Sequence, residues 1–233
     1  MKTVVVLQSN YIPWKGYFDL IHDADIFVFY DDVQYTKNDW RNRNKLKSAN
    51  GADWLTIPVG GCADRLICEV EIPNASWQIK HWKTIEQNYA KSPYFSLYKD
   101  ILEDVYMRRQ WRNLSELNQF LIRTIAMDIL EIRTVFQSSS DFALIGKKMD
   151  RLLDLVVKLE GDRYLSGPAA RQYIEPDRFF EANIQLDWKD YSGYPEYPQR
   201  FPPFEHGISI LDLLFNVGPD AGWYIWGWRD KKN

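Results

Sequence analysis

A chain of 233 residues with 29 basic against 32 acidic side chains carries a formal charge of −3, too balanced to draw nucleic acid or an anionic membrane to the molecule as a whole. The length suits one α/β domain or one domain carrying a helical subdomain, and the N-terminal apolar run is too short for a signal-peptide core, while no other run approaches a membrane span. The two cysteines, Cys62 and Cys68, have no second pair and no neighbouring histidine to complete a zinc spacing, so the expectation is a reduced, soluble, cytoplasmic protein without a metal site.

Residues 3–7 read as a buried strand, followed by a turn crowded with polar and aromatic groups, in which Pro13 and Gly16 fix the backbone before a short helix over 16–24. A second apolar run over 25–30 completes a βαβ unit with parallel strands and a right-handed connection. Ligands of open α/β sheets bind at the carboxyl ends of such strands. Gln8, Asn10, Tyr11, Trp14 and Tyr17 from the first turn, and Asp31, Asp32 and Gln34 after the second strand, are therefore expected on one sheet edge. The segment 36–48 is polar and cationic, with five basic residues in thirteen, and Asn50-Gly51 closes it with a turn signal. A third strand is predicted over 54–59, with Pro58 marking an edge or an end, then a loop and an alternating strand around Ile67, Glu69, Val70, Glu71 and Ile72.

Residues 75–130 carry apolar residues at helical spacing and are predicted as a helical insertion. A strand over 132–136 follows, then hydroxyl groups over 137–141 placed to cap a helix over 145–159 that stops at Gly161. A strand over 162–167 leads into a helix over 168–174 with proline in its first turn. The last strand falls at 184–188, a loop rich in proline and aromatic rings runs over 191–204, and a helix over 209–216 stops at Gly218. The fold class is thus α/β: a mainly parallel, Rossmann-like sheet flanked by helices, one domain over 1–233 with the insertion at about 75–130.

Four groups of residues can carry chemistry, the first turn among them. Asp31 and Asp32 point to opposite faces if the strand continues through them, and either can bind a sugar hydroxyl or an amine or act as a general base; a strand-ending turn is the structural alternative. Trp40, Arg41, Asn42, Arg43 and Lys45 set arginines at alternate positions, two forks on one side of an extended segment that suit a diphosphate or a carboxylate. A solvated basic loop is the alternative there. Ser166 and Gly167, with Arg171 and the later Gln199, offer a hydroxyl and amides to an anion at a strand end. As a nucleophile Ser166 needs a base, and nothing in the sequence brings His206 to it. His22 and His81 sit in apolar helical contexts and read as structural. In outline the first turn resembles the phosphate-binding turn of nucleotidylyl transferases, with Trp14 and Tyr17 where that turn carries histidines, which leaves the helix N-terminus and Lys15 to hold phosphate. The 10 Trp, 14 Tyr and 12 Phe suit sugar faces and bases as well as a core.

Residues 8–21 (QSNYIPWKGYFDLI), 27–35 (FVFYDDVQY), 40–45 (WRNRNK), 164–167 (YLSG) and 209–216 (SILDLLFN) together resemble the WbqC-like protein family, across nearly the whole chain. Ser9 departs from it, since the family more often has proline there. The resemblance implies a transferase of bacterial surface-polysaccharide (O-antigen or capsule) biosynthesis that adds an aminoacyl group, glycyl above all, to the amine of a nucleotide-linked amino sugar. On that reading Arg41, Arg43 and Lys45 hold phosphate, Trp14 and Tyr17 contact sugar or base, Asp31 or Asp32 orients or deprotonates the amine, and Gln8 and Asn10 supply neutral hydrogen bonds. The acyl source is an adenylate made from ATP or the thioester of an acyl carrier; nucleic acid and membrane insertion are not expected. Two other readings stay open, an adenylate-forming ligase or nucleotidylyltransferase-like enzyme, and a non-catalytic sugar-nucleotide binding protein.

Overall fold

The order of elements is β1 (Thr3–Leu7), α1 (Lys15–His22), β2 (Ile26–Phe29), β3 (Arg43–Ser48), β4 (Gly51–Thr56), α2 (Ser76–Tyr89), α3 (Phe95–Glu103), α4 (Leu114–Arg123), β5 (Val135–Ser138), α5 (Met149–Lys158), β6 (Arg163–Ser166), α6 (Pro176–Glu181), β7 (Gln185–Trp188), α7 (Ile210–Val217) and α8 (Ala221–Ile225). A computed structural model describes residues 1–232. Five strands form one parallel sheet in the order β5-β2-β1-β6-β7, the expected α/β architecture.

The three valines of β1 explain its central place, because a strand buried on both faces by flanking helices must be apolar throughout. Val5 joins one core with Phe27, Phe29 and Leu165, to which Trp77, Ile85 and Leu121 of the helices α2 and α4 and Leu213 of α7 also belong. Val4 and Val6 turn to the other face and pack with Val28, Tyr164, Leu155 of α5 and Phe179 of α6. The chain leaves β1 toward β2 and β5, then crosses back to β6 and β7 on the other side. The gap between the carboxyl ends of β1 and β6, at Gln8 and Gly167, is therefore the switch point where open sheets receive ligands.

Several expectations need correction. The cationic segment is half strand: β3 pairs antiparallel with β4 in a separate hairpin with Ser48 opposite Gly51, so Asn50-Gly51 does mark its turn. Strand β4 ends at Thr56, short of the expected 59. Residues 67–72 form no strand; Ile67–Glu69 is one 3-10 turn, and only isolated bridges link Gln34 to Leu66 and Glu71 to Asn113. The alternation there reflects burial of Ile67, Val70 and Ile72 without a partner strand. Strand β5 covers Val135–Ser138 instead of 132–136, and the Thr134 hydroxyl just before it donates to the carbonyls of Ile21 and Ala24. Helix α5 starts only at Met149, since Gly146 and Lys148 have positive φ, and residues 168–172 form a 3-10 turn. Helices α6 and α8 were not read in the sequence, although Pro176 at the first position of α6 is a start signal.

Candidate functional site

The turn between β1 and α1 is strained at its centre. Ile12 is fully buried with φ +36, a left-handed conformation that a β-branched side chain rarely adopts and that persists only when neighbours enforce it. The enforcing group is Asn44 of β3, whose Nδ2 donates to the carbonyls of both Tyr11 and Ile12 at 3.0 Å. The Tyr11 N–H donates to the Trp40 carbonyl (2.9 Å), and the Ile210 N–H to that of Pro13 (2.9 Å). The hairpin and the start of α7 thus grip the turn from two sides.

Tyr11 and Tyr17 lie beneath this turn as supports. The Tyr11 hydroxyl sits 2.8 Å from Nδ1 of His81 and 2.6 Å from the Tyr106 hydroxyl, while Nε2 of His81 lies 3.2 Å from the Thr56 carbonyl. A carbonyl can only accept, so Nε2 carries the proton, Nδ1 accepts from Tyr11, and Tyr106 donates to Tyr11. Burial lowers the His81 pKa to about 4. The Tyr17 hydroxyl donates to the Gln8 carbonyl (3.0 Å), and burial raises its pKa well above the usual value, with Asp31 adding to the rise.

Beyond β2 the two aspartates take different partners. Asp31 is only 2% exposed and accepts from the Ser9 N–H (2.8 Å), from Gln119 Nε2 (3.0 Å) and from the Ser115 hydroxyl. All three donors are neutral, so its charge is hydrogen-bonded without being cancelled. Asp32 pairs with Arg151 of α5 and accepts from the Ser139 hydroxyl. Both carboxylates line a cavity of about 300 Å³ with Cys68, Asn113, Ser115, Glu116, Gln119, Ser138 and Ser140. Its lining residues carry hydroxyls, amides, carboxylates and the Cys68 thiol.

A second cavity, of about 170 Å³, is lined by Asn10, Pro13, Trp14, Trp40, Asn44 and Gly207. Beside it, Nη1 of Arg41 donates to Asn10 Oδ1 (3.2 Å) and lies 3.4 Å from Asp39, with its side chain 15% exposed. Arg43 and Lys45 do not join it. They stack on Trp54, at 4.3 and 5.3 Å from the ring centre, with Arg43 also bound to the Asn38 carbonyl and Lys45 3.6 Å from Glu205. The expected double fork is absent because Arg41 precedes the strand and only Arg43 and Lys45 share its alternation.

The other sequence candidates are dispersed. The Asn42 amide donates to the Ile57 carbonyl (2.9 Å), and Gln34 reaches the Ala63 carbonyl at 3.4 Å. Ser166 and Gly167 stand at the end of β6, where a side chain on Gly167 would meet the Tyr191 hydroxyl at 3.6 Å. Arg171 lies over Trp188. Gln199 is spent on the loop that carries it, bonding Tyr197 and both backbone groups of Glu205. Lys15, read as a phosphate ligand, is buried below that loop, 3.4 Å from the Pro195 carbonyl and near the rings of Tyr194, Tyr197 and Phe204. Its amine is brought down to about 8 by burial, against the opposing charge of Asp19. Asp19, His22 and Asp23 bring ligand atoms within 4.8 Å of one another, but Lys189 and Arg229 pair with both carboxylates, which suits a structural ion network. A larger cavity, about 730 Å³ and bordered by Lys2, Asp25 and Arg133, lies at the opposite, amino-terminal edge of the sheet.

Sequence reasoning missed Asn44, Ser115, Gln119 and Arg151. Only the spacing of Ser115 and Gln119, one helical turn apart, was available as a signal.

The model of the WbqC-like protein family matches residues 8–224. The chain belongs to that family. The chain is similar to "Uncharacterized protein Rv1507c" of Mycobacterium tuberculosis (strain ATCC 25618 / H37Rv), 44% identical over 227 residues, covering 97% of this chain and 98% of that protein. No solved structure matches the chain. Both cavities at the carboxyl edge lie within the WbqC-like match.

Proposed function

We propose that this WbqC-like protein transfers an acyl group, aminoacyl and glycyl above all, to the amine of a nucleotide-linked amino sugar used for bacterial surface polysaccharide. What supports the reading is that neighbouring residues of the first turn meet two unlike cavities: Ser9 bonds Asp31, which lines an acidic, hydroxyl-rich one, and Asn10 lines an aromatic one beside Arg41. An amino sugar reaches the protein as an ammonium. Asp31, whose partners are all neutral, and Glu116 on the same wall attract that charge, and the hydroxyl and amide groups around them match the ring hydroxyls of a sugar.

In the reaction the amine loses a proton to a cavity carboxylate. Its nitrogen attacks the acyl carbonyl, a C–N bond forms, and the C–O bond of an adenylate or the C–S bond of a carrier thioester breaks, releasing AMP or the carrier thiol. Asp32 is neutralised by Arg151, so Asp31 orients the amine and Glu116, an exposed residue of the cavity lining, takes the proton. Mass spectrometry of the nucleotide-sugar pool in cells with and without the protein tests this. An unacylated amino sugar should accumulate in its absence, and an unchanged pool refutes acyl transfer.

The saturation of Asp31 and the pairing of Asp32 favour a second reading, a non-catalytic binding protein. It predicts that Glu116→Gln keeps full function in polysaccharide assembly, whereas the transferase reading predicts a loss of turnover with unchanged thermal stability.

A further inference from the structure

The cavity lined by Trp14 and Trp40 has room for one flat ring. At about 170 Å³ it is smaller than the roughly 300–1,000 Å³ typical of sites for drug-sized ligands, so it takes a part of a ligand and leaves the remainder outside. Two of its walls are indoles, each held by other rings. Trp14 is packed edge-on by Tyr191 and Tyr194, at centroid distances of 5.0 and 6.1 Å, and Trp40 lies 5.4 Å from Trp54. Between the two walls, Pro13 and Asn10 come from the strained turn, and the Asn44 amide that fixes this strain is itself a lining group. A buried left-handed isoleucine held by a dedicated amide is costly backbone, of the kind retained where it aims functional groups. Here it sets Asn10, Pro13 and Trp14 around the slot.

The geometry points to this slot as the base-binding subsite for a nucleoside phosphate, with the heteroaromatic ring stacked between Trp14 and Trp40 and the phosphate turned toward Arg41. Indole faces stack on any base, and the Arg41 guanidinium, bound to the slot residue Asn10 and 3.4 Å from Asp39, supplies a cation beside the slot that a phosphate can share with that carboxylate. This rests on the proposed sugar-nucleotide substrate and gives it a direction: base in the aromatic slot, phosphates at Arg41, amino sugar in the acidic cavity.

Titration of the purified chain with UDP, dTDP, GDP and ADP, followed by tryptophan fluorescence and calorimetry, tests the assignment. Ribose 5-phosphate and glucosamine 1-phosphate serve as base-free probes. At least one nucleotide should bind saturably and quench fluorescence. Trp40→Ala, at a ring 41% exposed whose loss spares the core, should weaken it about tenfold, in line with about 1–3 kcal/mol per stacked base. Trp40→Phe should restore most of the affinity, and both variants should bind the base-free probes as the wild type does. The assignment is overturned if no nucleotide binds up to millimolar concentration, if the base-free phosphates bind as tightly as nucleotides, or if Trp40→Ala binds nucleotides normally. An unchanged cellular nucleotide-sugar pool together with Trp40-dependent nucleotide binding would refute acyl transfer and leave the subsite standing.

Discussion

Replacing His81 by glutamine tests the polar chain that supports the strained turn. In the folded protein the imidazole is neutral, donating to the Thr56 carbonyl and accepting from Tyr11, and burial brings its pKa from 6.5 to about 4. The unfolded chain takes up the proton near 6.5 and the folded chain refuses it until about 4. The stabilisation is therefore complete above pH 6.5 and is lost as the pH falls toward 4, by about 3 kcal/mol over the whole interval and by about 2 kcal/mol at pH 5. Glutamine can replace one hydrogen bond but does not titrate, so the variant starts about 1–3 kcal/mol less stable at pH 7.5 and lacks this component of acid sensitivity. Urea unfolding of both proteins at pH 7.5, 6.5, 5.5 and 4.5 should show the gap between them closing as the pH falls. Carboxylates that ionise near 4 act on both proteins alike and cancel in the difference. A gap that stays constant from pH 7.5 to 4.5 would refute a neutral, buried His81.

Asn44→Ala leaves the carbonyls of Tyr11 and Ile12 without their donor and should cost about 1–3 kcal/mol in denaturant unfolding, with a loss of ligand-induced quenching larger than the loss of stability explains. Gly16→Ala places a Cβ 2.3 to 2.7 Å from the indole of Trp14, so it should shift the tryptophan emission of the folded protein and weaken nucleotide binding. Lys15→Met removes an amine held at about 8. The folded chain releases that proton before the unfolded chain does, so wild-type stability should rise relative to the variant between pH 8 and 10.5 in chemical denaturation.

The valines of β1, the apolar runs of β2, β6 and β7 and the Asn50-Gly51 turn are local signals, and they were legible because strand period and turn chemistry act over a few residues. The same locality explains the failures. Residues 67–72 alternate like a strand, yet no neighbouring chain offers them a continuous ladder. Arg41 and Arg43 look equivalent in sequence, but the strand begins between them. Gln8 and Asn10 were placed on the correct edge of the sheet by the strand-turn-helix pattern alone. Asn44 lies inside the basic stretch that the sequence singles out, but its clamping role is hidden there, because its partners lie 32 and 33 residues away and an asparagine within a basic stretch reads as solvated. Asp31 and Asp32 were found by position, while the sorting of one to neutral donors and the other to Arg151 is made by α4 and α5, which begin more than eighty residues later.

The bond between the Pro13 carbonyl and the Ile210 amide also sets an order of assembly. During synthesis the ribosome extrudes the first turn nearly two hundred residues before the segment that grips it from the α7 side. Until 209–210 emerge, the nascent chain holds this strained turn without one of its clamps, so the final shape of the carboxyl edge is set late, when the chain is almost complete.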